Sequence, residues 1–274
     1  MNSVHALLTR CALVGEYGSK TFLLHAFLCM ACLLSRWADA AGPSQGFTGN
    51  VQFMSNYVGR GLSQSVGQPS VEAELDYDRG DGIYVGLSGY SIDILDELYP
   101  GDSASLLMEG AVGYKRAFAQ DASWKLGIQR VQFPGRYVRQ AQPMEEPNTT
   151  ELIGYVRWRG LSAKLDYAAT DYYGTFASKG SCYADLNASQ TLYGSWTLGA
   201  HLGRKVLAGR NPYDGLENRR KDYTDYKLSV TYALGARLSL TLAHTWTNAV
   251  SAFYTVDGYD VSGHQTWFLI EKDW

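Results

Sequence analysis

The chain has 274 residues, 46% of them apolar and 19% charged, with 29 glycines and 20 tyrosines. This balance excludes a disordered chain and favours turn-rich β structure over helix. The formal net charge is −3, and the basic runs NRRK (218–221) and YKRAF (114–118) are too short to mark a nucleic-acid binder.

The first forty residues differ from the rest. TFLLHAFLCMACLLS (21–35) is the longest apolar run, preceded by Arg10 and Lys20 and followed by Ala38-Asp39-Ala40. A charged start, an apolar middle and a small-x-small end predict a secretory signal peptide over 1–40, with the exported protein spanning 41–274. The run is short for a membrane helix, which needs roughly 20 apolar residues. Cys29 and Cys32 lie inside it, so their C-x-x-C spacing is not a metal or redox motif, and Cys11 is removed with them. Cys182 alone remains, which rules out an intramolecular disulfide in 41–274.

Beyond residue 40 the apolar residues alternate with polar ones, the period of a strand with two unlike faces. Strands are predicted at 47–58, 70–78, 82–91, 104–115, 122–134, 148–158, 161–170, 181–190, 195–206, 222–233, 236–247 and 262–274. The second of these shows the problem most clearly. In VEAELDYD (71–78), Val71, Ala73, Leu75 and Tyr77 share one face, while Glu72, Glu74, Asp76 and Asp78 share the other. A soluble two-layer sandwich would bury the apolar faces against each other, using continuous buried runs that are scarce here. Lipid outside and a wet interior fit better.

The connections support that arrangement. Every second link is short, as in RGD, RG and LGA, whereas the others are long and polar, as in PGRYVRQAQPMEEPN (134–148) and LAGRNPYDGLENRRK (207–221). An up-and-down meander with both ends on one side has this rhythm, with tight turns on the terminal side and long loops opposite. Hydrocarbon offers the backbone no hydrogen-bond partner, so a membrane sheet has to close on itself. The predicted fold is an all-β, closed antiparallel transmembrane barrel of about twelve strands in the bacterial outer membrane. Tyr57, Tyr77, Tyr114, Trp124, Trp158, Tyr167, Trp196, Tyr232 and Trp246 fall near strand ends, where aromatic girdles meet lipid headgroups. The last strand ends on Trp274, the kind of C-terminal aromatic read by the outer-membrane assembly machinery, although Lys272 departs from that pattern.

One segment carries a specific likeness. SNYVGRGLSQSVGQPSVEAELDY (55–77) resembles the N-terminal signature of the TorF-type putative porins, the Gcw-chp family of outer-membrane proteins, through Ser55, Tyr57, Arg60, Gly61, Ser63, Gln64 and Pro69. Weaker echoes in 148–158, 183–192 and 225–245 extend the likeness over nearly the whole exported chain. The resemblance implies a small porin and no catalytic residues. On physical grounds Gly61 suits a loop that needs backbone freedom, and Pro69 suits the start of a strand. Arg60 is expected either to pair with the acids of the second strand or simply to fix the loop.

The exported chain has His201, His244 and His264, with neither a G-x-S-x-G motif nor a zinc-spaced histidine pair. A lipid-modifying hydrolase is therefore the weakest reading, and no metal or cofactor is expected. Face by face, Glu72, Glu74 and Asp76 point inward from one wall, and Lys125, Arg157 and Lys164 from roughly the opposite wall. These predict a charge-separated pore for ions or small solutes. The competing expectations are a lumen shut by cross-paired charges and an adhesive barrel that binds a partner through its long loops. A β-bulge near 128–133 would shift these faces. Removing 1–40 leaves 21 Lys+Arg against 25 Asp+Glu, a net −4 too small to set selectivity.

Overall fold

The computed structural model describes residues 45–95, 104–135, 146–235 and 237–274, so the predicted signal segment 1–40 lies outside the described residues. Twelve antiparallel strands close into one barrel. In chain order they are β1 (Gly46–Met54), β4 (Ser70–Asp78), β5 (Ile83–Ser91), β6 (Leu106–Ala119), β7 (Ala122–Gln132), β8 (Thr149–Trp158), β9 (Leu161–Ala168), β10 (Cys182–Thr191), β11 (Trp196–Val206), β12 (Tyr223–Gly235), β13 (Leu238–Thr247) and β16 (Gln265–Asp273). Two small hairpins stand apart from the wall: β2 (Val58–Gly59) with β3 (Leu62–Ser63), and β14 (Thr255–Val256) with β15 (Tyr259–Asp260).

Each wall strand pairs with its neighbour in sequence, and β1 pairs with β16 to close the ring. Closure leaves no strand edge, so every wall strand has a hydrogen-bonded neighbour on both sides without help from water. The alternation runs inside out relative to a soluble protein. On β4, Val71 and Leu75 are exposed whereas Glu72 is buried. Three and four strands round the ring, Leu242 of β13 and Leu228 of β12 are 58% and 57% exposed. Their inward neighbours Asp225 and Thr245 are buried. Greasy side chains on the outside and buried carboxylates on the inside are what a lipid solvent selects.

Aromatic side chains mark the two ends of the apolar band. On the terminal side, Phe47 meets Tyr77, Tyr114 meets Trp124, and Trp196 meets Tyr232, with ring centroids 4.7, 5.8 and 4.7 Å apart. On the loop side Tyr226 stacks on Trp246 at 5.5 Å. The Trp274 backbone N–H donates to Gly49 at 3.0 Å, and its ring fills the space beside that glycine. Glycine also shapes the interior. Tyr84 of β5 lies across Gly113 of β6 and Gly127 of β7, where a Cβ at Gly127 would stand 2.6 Å from the Tyr84 hydroxyl oxygen.

Three expectations need correction. The first strand ends at Met54 rather than at 58, because the chain turns inward there; Ser55 marks the departure, its hydroxyl accepting from the Phe268 N–H at 3.0 Å. Its alternation continues through SNYVG, but those residues build the hairpin. The strand predicted to stop at 115 runs on to Ala119, so KRAF is strand rather than turn. No register shift occurs at 128–131, where β7 pairs evenly with β8; the irregularities sit beside the tight turns, at Ala117/Ala119 and Ala233/Gly235.

Candidate functional site

The segment 55–69, which joins β1 to β4, does not stand clear of the barrel. Its hairpin β2–β3 turns on the two residues Arg60 and Gly61, both left-handed with φ of 49° and 79°. Two consecutive positive φ values make the tight hairpin turn that Gly serves best at its second position. Gly61 packs directly against the Asp225 side chain of β12, leaving no room for a Cβ. Arg60 holds a backbone conformation that costs a non-glycine residue about 1–2 kcal/mol. The surrounding contacts have to offset that strain.

Those contacts cross the lumen. Arg60 donates from Nη1 to Glu151 Oε1 at 2.8 Å and from Nη2 to Glu151 Oε2 at 2.7 Å, a two-pronged grip on β8. Nη2 also reaches Asp166 of β9 at 3.1 Å, and Nη1 donates to the Tyr172 hydroxyl at 2.8 Å. Tyr173 and Tyr183 place their rings 5.2 Å from the guanidinium carbon. The Tyr223 hydroxyl donates to the Arg60 carbonyl at 2.6 Å. In the closed ring β9 lies six strands from β1 in either direction, so the hairpin that leaves β1 carries Arg60 at its tip across the interior. Glu151 and Asp166 are almost wholly buried, and their charges are balanced by Arg60 and by Lys164, which meets Asp166 at 3.0 Å. Burial drives the Tyr172 hydroxyl above its ordinary range, so it remains protonated beside the carboxylates.

The loop's own polar residues hold it in place. Ser63 donates to Asn56 Oδ1 at 2.6 Å, and Asn56 donates to Gln265 of β16 at 3.0 Å. The Ser65 hydroxyl accepts from the Tyr57 N–H at 2.9 Å and donates to the Gln68 carbonyl at 2.6 Å. The Gln64 carbonyl accepts from the N–H groups of Asp93 and Ile94 at 3.0 Å, tying this loop to the next one. Tyr57, expected in a lipid girdle, instead stacks on Tyr90 of β5 at 4.8 Å inside the mouth. It follows the hairpin inward, away from lipid.

Arg60 passes over the β4 acids. Its partners are Glu151 and Asp166, which corrects the expected pairing with the second strand. On β4, Glu72 is buried, Glu74 accepts from Asn50 at 2.7 Å, and Asp76 lies against Gly86. Lys125 of β7 places its ammonium 5.5 Å from the Tyr84 ring and 5.8 Å from the Tyr155 ring. Arg157 is exposed near the terminal-side end of β8 and donates to the Arg159 carbonyl at 3.4 Å. Lys164 is tied to Asp166, so the wall marked as basic from sequence also carries two carboxylates.

Beside the Arg60 grip lies a second polar cluster. His201 of β11 contacts Asp225 Oδ2 through Nε2 at 2.8 Å and Asn187 of β10 through Nδ1 at 2.8 Å, and Tyr183 donates to Asp225 at 3.0 Å. Both ring nitrogens are occupied, which leaves His201 poorly placed to serve as a base for a hydroxyl nucleophile. His244 faces outward with His264 and Trp246. Among the described residues no group of three or more His, Cys, Asp or Glu side chains is placed to hold a metal.

Two cavities flank this middle layer. A loop-side cavity of 320 Å³ is bounded by Tyr57, Arg60, Glu109, Tyr172, Lys205 and Tyr223, among others. A terminal-side cavity of 260 Å³ is bounded by Tyr155, Arg157, Ser162, Asn187, Lys227 and others. They share no lining residue, and Glu151, Lys164, Asp166 and Asp225 line neither. Sequence reasoning misses Asn56, Glu151, Asp166, Tyr172 and Asp225; the acids and Tyr172 lie 90 or more residues from Arg60, beyond the reach of any local pattern.

The family described as "Bacterial protein of unknown function (Gcw_chp)" matches residues 37–273. The chain belongs to this family. No curated protein matches it in sequence. Among solved structures, this Gcw_chp chain is similar to the KdgM porin at 10% identity and a TM-score of 0.49, covering 83% of this chain and 98% of that one. The COG4313 outer membrane channel from Pseudomonas putida F1 is similar at 14% identity and 0.49, covering 87% and 97%. The NanC porin is similar at 9% and 0.47, covering 82% and 98%.

Proposed function

We propose that this Gcw_chp protein is a passive, porin-like channel of the bacterial outer membrane, with an aperture set by the inward hairpin that carries Arg60. The single observation behind this reading is a closed barrel, apolar outside and charged inside, whose two cavities are separated by a layer of paired charges centred on Arg60 and Glu151. Residues 1–40 act as a signal peptide removed on export, and the barrel over 41–274 is of the TorF type. The strand ending at Trp274 is offered to the assembly machinery. Glu72, Glu74 and Asp76 on one side and Lys125, Arg157 and Lys164 three to five strands round the ring line the lumen, so passing ions or small solutes meet charged walls. Lipid bilayer and solute are its partners.

Purified, folded protein in planar bilayers tests this reading: discrete ohmic current steps are expected, and steady silence overturns an open channel. One observation favours a second reading, a plugged barrel, because Arg60 has four polar contacts holding it across the lumen. Its signature is silence in the wild type and current once Arg60 is replaced.

A further inference from the structure

The loop-side cavity holds positive charge that the described residues do not neutralise. Lys205, near the outer end of β11, is 6% exposed, and its ammonium donates to the Tyr254 hydroxyl at 2.7 Å. The rings of Tyr223, Tyr254 and Tyr172 stand 4.4, 4.8 and 5.9 Å from that ammonium. Tyr254 also donates to the Lys221 backbone carbonyl, and both lysines line the cavity. Among the described residues neither lysine has an ion-pair partner, because the nearby acids are engaged elsewhere. Asp222 accepts from the Leu207 N–H at 2.7 Å, and Asp225 is held by His201 and Tyr183. Arg60 is already gripped by Glu151. Glu109 is the one carboxylate among the described lining residues, and it stands five strands away on β6.

A buried ammonium without a counter-charge is unfavourable by several kcal/mol unless it gives up its proton or an anion supplies the charge, and an anion that enters keeps that proton in place. Aromatic faces favour an apolar or ring-shaped body beside the charge. A volume of 320 Å³ lies at the small end of ligand sites, roughly 300–1,000 Å³, and suits a single ring better than a polymer. We infer that this cavity binds a small organic carboxylate, its anionic end between Lys205 and Lys221 and its carbon body against Tyr172, Tyr223 and Phe253. The inference deepens the channel reading by naming a solute class for the outer mouth. Binding itself does not require the lumen to conduct.

The test is titration calorimetry on the full detergent-solubilised barrel, with benzoate as probe and benzyl alcohol and benzylamine as ring-matched neutral and cationic controls. Benzoate binds and the controls do not, and Lys205→Met with Lys221→Met weakens benzoate by at least about tenfold, the loss expected for charge-assisted hydrogen bonds. Lys221→Gln alone, outside the wall strands, gives a smaller loss in the same direction and stands in if the double variant does not fold. No benzoate heat, equal binding of benzyl alcohol, or unchanged affinity in the lysine variants overturns the site. Bilayer recording on the same preparation separates the two claims. Benzoate binding without current refutes the channel alone, and current without benzoate binding refutes the site alone.

Discussion

Arg60 and Glu151, 91 residues apart in sequence, meet through two near-parallel hydrogen bonds of 2.8 and 2.7 Å across the barrel interior. Glu151 is fully buried while Arg60 keeps about a fifth of its side chain in solvent. Arg60→Asn keeps a residue that tolerates the left-handed turn and removes the guanidinium. The expected loss is ~1–3 kcal/mol, below the ~3–5 kcal/mol of a fully dry pair because water reaches the arginine side. The denaturant midpoint of the folded, heat-modifiable band measures it, and an unchanged midpoint would show that the grip contributes nothing to stability.

The inward acids set the second prediction. Replacing Glu72, Glu74 and Asp76 together by Gln, Gln and Asn lowers cation preference, read as a shift of the reversal potential in a salt gradient toward the anion side. An unmoved reversal potential would remove these residues from the conduction path. The converse change, Lys125→Gln with Lys164→Gln, raises cation preference in the same assay.

Lipid-facing and lumen-facing neighbours respond oppositely to charge. Leu228→Arg or Leu242→Arg, at positions more than half exposed to the acyl chains, destabilises the barrel by ~2–4 kcal/mol. Ser229→Arg, one residue along β12 and facing the terminal-side cavity, is tolerated. Refolding yield into bilayers reads the contrast, and equal tolerance at 228 and 229 would contradict the assigned faces.

Gly127 carries a fourth prediction. A valine there collides with the Tyr84 hydroxyl and with the Val112 carbonyl, which stand 2.6 and 2.7 Å from where its Cβ would lie. Tyr84 can swing away but the neighbouring backbone cannot. Gly127→Val therefore lowers the folded fraction, and Tyr84→Ala only partly rescues it. Full rescue would place the whole conflict on the ring.

Much of the barrel is legible in the alternation of its strands. VEAELDYD occupies β4 over the residues expected, and its acids take the inner face, because a period of two assigns faces directly. The paired lengths of loops and turns likewise identify the ends of the barrel. Contacts across the lumen are not legible in this way. Alternation reports which face a residue takes, not what stands six strands away, so it cannot match Arg60 to Glu151 and Asp166. SNYVG alternates as well as any strand and reads as wall, yet it enters the mouth because Asn56 and Ser63 find partners there. The signature serines and Gly61 are explained only by that inward packing.

The most direct measurement is single-channel conductance of the wild-type barrel beside Arg60→Asn, with folding of both shown in parallel. Discrete wild-type steps that become several-fold larger in the variant are the predicted result. Equal conductance in the two proteins, or silence in both, would contradict a lumen whose opening is governed by the Arg60 hairpin.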